Sequence, residues 1–280
     1  MREIKYCAYI DVLGYGSLVS DSNLSDDQKQ HFLHSIYTNL ATQFSMAIMD
    51  VNRHSNSKVY MRSFSDCFYL DCSEIEPLLF AVEDVFSNCF GFYSNFTEDE
   101  ERTPFLRCGI VKDWLIKFRD IGAIATGTKE LNPVGIAVAR AYNVSEKSSL
   151  SGMQVILSPE VIADLDVLQV TLPDYPCFTK QFVRYGNVPI KYYFKHITSN
   201  ERGTACDLYT LLWCYSRLNS HAYECVDLLN KVKRNFGGEA IRHFHKTVDL
   251  FIDTHLLVDD KLRNPELYQR DQKALLDLKQ

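Results

Sequence analysis

The sequence predicts an α+β fold of the split βαβ, ferredoxin-like kind: an antiparallel sheet with helices on one face, followed by a helical C-terminal extension. Three observations predict it. Apolar runs of strand character alternate with long segments of helical period in the order β-α-β-β-α-β. Two of those runs, "VYMRSF" and "CFYLDC", meet at "SD" as the arms of a hairpin do. From Thr204 onward the pattern is helical and tyrosine-rich, with a break at Gly237-Gly238.

Each element follows from local chemistry. "KYCAYIDVL" is a buried strand that ends in the turn "GYGS". Ser25 and Asp26 carry N-cap chemistry, and Phe32, Leu33, Ile36, Leu40 and Phe44 then recur at helical spacing. "RHSNSK" is a polar loop leading into the hairpin. "SEIEPLLFAVEDVFSNCFGFYSNF" is a second amphipathic helix and "TEDEERT" an exposed acidic loop. "PFLRCGIVKDWLIKF" returns to strand, "GIAVARAYNVSEKS" is a third helix, and "MQVILSPEVIADL" is a strand running into a short helix capped near Ser158. From Leu172 an irregular stretch precedes one or two strands. The expected division is a domain over residues 1–200 and a helical extension over 204–280, with no internal repeat.

Composition narrows the function classes. The chain has 280 residues, of which 46% are hydrophobic and 24% charged, enough for a substantial core. Its net charge is −6 and no Lys/Arg-dense stripe is present, which argues against general nucleic-acid binding. A small anionic substrate held by a local cluster stays compatible. No run approaches the ~20 apolar residues of a membrane span, and the first strand begins without a secretory h-region. Nine cysteines without a C-x-x-C pair fit a reducing compartment, so a cytoplasmic location is expected. His31 and His34 share a helical face but lack a carboxylate at a suitable step, and His243 and His245, two apart, face differently on a helix, so both read as incidental pairs.

Two aspartates stand out. Asp11 sits where an apolar strand ends, and Asp66 sits at the hairpin turn. In a split βαβ sheet the first strand and this hairpin are central neighbours, so both carboxylates meet near one end of the sheet. Like charges that close raise one another's pKa unless a cation neutralises them. Mg²⁺ or Mn²⁺, bound through one or two carboxylates plus substrate phosphates, answers that need. The amides of "GYGS" suit phosphate oxygens. Aspartate is equally a common turn former, and unrelated turn roles are the competing reading.

The residues then show a resemblance. "YIDVLGYGS" resembles the F-x-D-[IV]-x-G-[FY] segment of class III nucleotide cyclases, and "RSFSDCFYL" resembles their second metal-aspartate hairpin. "PVGIAVARAYNVSE" resembles their glycine-led helix and "GMQVILSPEVIADL" the strand and helix that follow, so the likeness spans about residues 4 to 165. More narrowly, the "IDVLG", "FSD", "LRCGI" and "GIAVARAY" pieces are similar to bacterial pyrimidine nucleotide cyclases of Pycsar antiphage systems.

The resemblance implies that Asp11 and Asp66 bind two Mg²⁺ or Mn²⁺ ions, with the Val12 carbonyl as a further ligand. It implies that Gly14, Tyr15, Gly16 and Ser17 hold phosphate and that Arg107 contacts it. Arg62 stands where adenylate cyclases carry a base-selecting lysine, and Arg is not an equivalent donor. Tyr60 points the same way along the strand. The helix after Gly135 departs from the family: Ala139 and Asn143 occupy the usual Asn and Arg places. Either Arg140, rotated by ~100° from the first of them, or Arg107 is the substitute, or the transition state is stabilised differently, and in a dimer the residues near this helix act in the neighbour's site. The implied activity is conversion of UTP or CTP to cyclic UMP or cyclic CMP with release of pyrophosphate. The implied assembly is a homodimer, and the implied indirect partner is an effector that binds the cyclic nucleotide. An adenylate or guanylate cyclase, or a non-catalytic nucleotide-binding sensor, is the alternative.

Overall fold

The computed structural model describes residues 2–64, 66–92, 105–119, 131–147, 151–170, 177–184, 188–201, 204–233, 236, 238–258 and 264–280. The chain opens with β1 (Arg2–Val12), α1 (Tyr15–Ser20), α2 (Asp26–His54), β2 (Tyr60–Phe64), β3 (Cys67–Cys72), α3 (Ile75–Phe92) and β4 (Leu106–Arg119). It continues with β5 (Leu131–Val134), α4 (Ile136–Lys147), β6 (Val155–Leu157), α5 (Pro159–Leu165) and β7 (Leu168–Val170). Then come β8 (Cys177–Arg184), β9 (Val188–Glu201) and β10 (Thr204–Leu211), and the helices α6 (Tyr215–Lys233), α7 (Ile241–His255) and α8 (Pro265–Asp277). The acidic "TEDEERT" segment lies outside the described residues.

Local chemistry sets the boundaries. Ser25 caps α2 through a reciprocal pair: the Gln28 amide donates to Ser25 Oγ at 3.3 Å and the Ser25 amide donates to Gln28 Oε1 at 3.0 Å. The "GYGS" segment is more than a turn. Gly14 adopts φ +89, which an L side chain rarely takes, and α1 starts at the next residue.

The strands form one sheet in the order β2-β3-β1-β4-β6-β10-β9-β8-β7, with β5 paired to β4. Its first four strands are antiparallel neighbours, the arrangement of a split βαβ unit. Two expectations need correction. The sheet is mixed rather than wholly antiparallel, because β4 and β6 are joined by a crossover through α4 and pair in parallel. Nor do the helices share one face. Along β1 the side chains alternate, so Tyr6, Ala8, Ile10 and Val12 join the large core with Phe44 and Val51 of α2 and Leu79, Val82 and Phe86 of α3. Cys7 and Tyr9 point the other way, into a smaller cluster with Val111, Leu115 and the α4 residues Ala137 and Ala141.

The C-terminal segment also differs from its expected form. Residues 204–211 are not helical but form β10, hydrogen-bonded between β9 and β6. The expected boundary at 200–204 thus falls inside the β9–β10 hairpin. Asp207 is exposed while Leu208 and Thr210 are buried, a period of two that the apolar run "LLWC" obscures. The helices that follow share the large core. Trp213, 1% exposed, stands edge-on to Phe86 and Phe90 of α3 and Phe251 of α7, and its Nε1 donates to the Met153 carbonyl at 3.0 Å. Phe236, between α6 and α7, stacks on Phe105 at 4.6 Å.

Candidate active site

One end of β1 gathers the predicted residues. The Val12 amide donates to the Asp66 carbonyl at 3.2 Å and the Leu13 amide to the Phe105 carbonyl at 2.7 Å, so the hairpin turn and the start of β4 grip the strand end from both sides. Register aligns Asp11 with Cys67 on β3 and with Arg107 on β4. Cross-strand partners share a face. That face, the one α4 packs on, therefore carries Asp11, Arg107, Cys67, Tyr9 and Tyr69, together with Tyr60 and Arg62 of β2.

Arg107 is the electrostatic centre, 8% exposed. Its Nη2 donates to Asp11 Oδ2 at 3.2 Å and also to Glu146 Oε1 of α4. Its Nε is buried and has no hydrogen-bond partner among the described residues. Burial pushes the Asp11 carboxyl up to about 6, helped by the negative charge of Glu146 and, less strongly, of Asp66, against the opposing pull of Arg107. Asp66 is close enough for its charge to act on Asp11, Cys67 and Tyr37 alike. The backbone of Asp66 thus adjoins the strand end that carries Asp11.

Sequence reasoning missed Glu146. Its position depends on how closely α4 lies on β4, and Gly109 sets that closeness. A Cβ at Gly109 would fall 2.3 Å from the Ala141 carbonyl oxygen and 2.7 Å from the Ser145 amide nitrogen. A glycine inside a strand marks such an approach, and "LRCGI" was the available signal.

The other candidates divide. Gly14 and Gly16 face open space, with nothing within 4 Å of a Cβ built on either. The Tyr15 ring meets Tyr37 of α2 at 6.2 Å, and the Ser17 side chain lies outside the described residues. Tyr60 is 49% exposed, and Arg62 donates from Nη1 to the Met61 carbonyl at 2.8 Å. Beside them Tyr9 meets Tyr69 at 5.1 Å and Tyr142 at 5.3 Å, an aromatic floor between Arg62 and α4. Tyr142 is 42% exposed, not the core residue its burial tendency predicts. Arg140 is not brought to Asp11. It pairs with Asp113 at 2.6 Å and Glu160 at 2.5 Å. Asp113 lies six residues beyond Arg107 along β4, about 20 Å at strand rise.

Among the described residues no group of three His, Cys, Asp or Glu side chains is set to hold a metal ion. The chemistry of the donors present still fits one. Asp11 and Asp66 supply two carboxylates beside the Val12 backbone, and Mg²⁺ commonly takes one or two carboxylates and completes its shell with substrate phosphates and water.

The mixed sheet with α2 and α3 on one face and α4 on the other is the catalytic-domain fold of class III adenylyl and guanylyl cyclases. The solved structure of a bacterial light-regulated adenylyl cyclase matches 84% of this chain at 10% identity with a TM-score of 0.53, and the match covers 58% of that protein's length. The guanylyl cyclase Cya2 matches over 76% of this chain and 93% of its own, at 13% identity and a TM-score of 0.46. The guanylate cyclase domain of RhGC from Catenaria anguillulae, solved with GTP, matches over 75% and 97%, at 12% identity and 0.46. No protein-family profile and no curated protein sequence matches the chain.

Proposed function

We propose that the protein is a nucleotide cyclase, and that its substrate is a pyrimidine nucleoside triphosphate, UTP or CTP. The observation that carries the reading is the convergence of Asp11 and Asp66 at one strand end, with Arg107 against Asp11. In the reaction the ribose 3′-oxygen attacks the α-phosphorus, the bond to the bridging oxygen breaks, and pyrophosphate leaves. Nucleophile and electrophile belong to one molecule, so the protein orients them and offsets the charge that develops. The open backbone at Gly14 and Gly16 leaves room for the triphosphate, and Arg107 beside Asp11 is the phosphate contact in this reading. Two Mg²⁺ or Mn²⁺ ions, held by Asp11, Asp66 and the Val12 carbonyl, would supply Lewis-acid polarisation and charge neutralisation.

Pyrimidine selection rests on the Pycsar-like segments and on Arg62 in place of a lysine, with exposed Tyr60 beside it to cover a base. The same segments support a role in antiphage defence, in the cytoplasm, with a separate effector that binds the cyclic product. Exposed Tyr60 and Tyr142 on the face that carries Asp11 support a homodimer closing over it. Arg140, held by Asp113 and Glu160, serves in this reading to staple α4 to α5.

The test is incubation of purified protein with each of the four NTPs and Mn²⁺, with products separated by chromatography. We expect cyclic UMP or cyclic CMP and pyrophosphate, and a loss of rate of at least about 100-fold in Asp66→Ala, as for removal of a charge-stabilising group. A cyclic purine product would move the substrate assignment, and four intact NTPs would overturn the cyclase reading.

A further inference from the structure

His243, half of an incidental pair in the sequence, has a defined partner in the fold. It lies in the first turn of α7, and its Nδ1 accepts from the Gly152 amide at 3.2 Å. One turn on, Thr247 Oγ1 accepts from the Met153 amide at 2.8 Å and donates to the His243 carbonyl at 2.8 Å. Residues 152–154 are pressed onto the helix, since a Cβ at Gly152 would fall 2.8 Å from the His243 carbonyl oxygen. On the other side of this segment the Gln154 carbonyl accepts from the Cys108 amide at 2.8 Å, one residue beyond Arg107. The segment is therefore a hydrogen-bonded bridge from the C-terminal helices to the strand that carries Arg107.

The bridge needs a neutral imidazole. A protonated ring has two donors and no acceptor, so it would turn an N–H against the N–H of Gly152. Burial first, then the positive charges of Arg242 on the same helix and Arg107 on β4, hold the pKa of His243 below the ordinary histidine value. Among the described residues those two arginines are the charged groups acting on the ring, and residues 151–154 add none. The folded value is the lower one. The contribution of this bond to stability is thus complete above about pH 6.5 and is lost as pH falls through the folded value.

We propose that His243 is an acid-sensitive latch: neutral, it binds residues 152–154 to α7 and braces β4 next to Arg107; protonated, it releases both. The latch itself is independent of what the site does, and its effect on rate rests on the cyclase reading, in which acid leaves Arg107 less firmly positioned.

The test is amide hydrogen exchange of the full chain, read by mass spectrometry at pH 7.5 and pH 5 and corrected for the intrinsic pH dependence of exchange. His243→Asn places an acceptor oxygen near the position of Nδ1 and does not titrate, whereas His243→Leu has no acceptor. At pH 5 the wild type should exchange faster than His243→Asn by about threefold or more over both 152–154 and 106–109. His243→Leu should be loose at both pH values. Should it fail to fold, the wild type against His243→Asn decides alone. The same pH response in wild type and His243→Asn overturns the latch, as does full protection in His243→Leu at pH 7.5. Loosening at 152–154 that leaves 106–109 protected overturns the brace on β4. With nucleoside triphosphates, the wild-type rate should fall between pH 7.5 and pH 5 by about threefold more than the rate of His243→Asn, since Asp11 titrates in both. Equal falls would overturn the link to Arg107. No product from any of the four NTPs would defeat the cyclase reading, while exchange still decides the latch.

Discussion

Glu83 shows how far a single side chain in this fold departs from its ordinary chemistry. Glu83 of α3 is 4% exposed, accepts from Ser87 Oγ at 3.4 Å and pairs with Arg184 of β8 at 3.2 Å. Burial and the adjacent charge of Asp84 push its carboxyl up to about 7 despite Arg184. The unfolded chain releases the same proton near its ordinary value of about 4.3. Between those values the folded state holds a proton that the unfolded state has lost, so this group's contribution to stability is present at low pH and falls as pH rises towards and past 7. Urea denaturation at pH 5 and pH 8 should show this decline in the wild type, on the order of 1–3 kcal/mol. In Glu83→Gln the decline should be flatter, and an unchanged difference between the two pH values would refute the assignment.

At the scale of elements, the contact of α4 with β4 decides whether the site exists. Gly109→Ala should push α4 off the strand, separate Glu146 from Arg107, and cost about 1–3 kcal/mol as overpacking does. Thermal denaturation together with the NTP assay checks it, and an unaltered protein would show that α4 tolerates displacement. The same contact explains what the sequence could and could not reveal. Strand and helix periods made β1 to β4 and α2 to α4 legible, but it is the strand register that puts Asp11, Arg62 and Arg107 on a common face. Glu146 was hidden because its place depends on the depth of packing at a glycine, which no periodicity reports. Arg140 is held within its own chain by partners that the sequence did not suggest. Proximity in sequence to Ala139 said nothing of Asp113 and Glu160, which capture its guanidinium from other elements. β10 was missed because three consecutive apolar residues, Leu211 to Trp213, blur a strand into a helical pattern.

For the whole molecule, the late helices belong to the same core as the early sheet. Trp213 touches α3 and α7 at once, so Trp213→Ala should cost about 3–5 kcal/mol. Chemical denaturation should show it as a single transition at lower denaturant. A wild-type midpoint would mean that the tail folds apart from the sheet. Phe105 extends this union to the end of β1 that carries Asp11. Its ring rests on Phe236 and its carbonyl anchors Leu13, next to the Gly14 bend. A lever is thereby built into one residue, with its long arm in the tail and its short arm at the end of β1. Exchanging the last seventy residues for a foreign fusion would therefore shift the Gly14 bend beside Asp11, even with every acidic and basic group around it left intact.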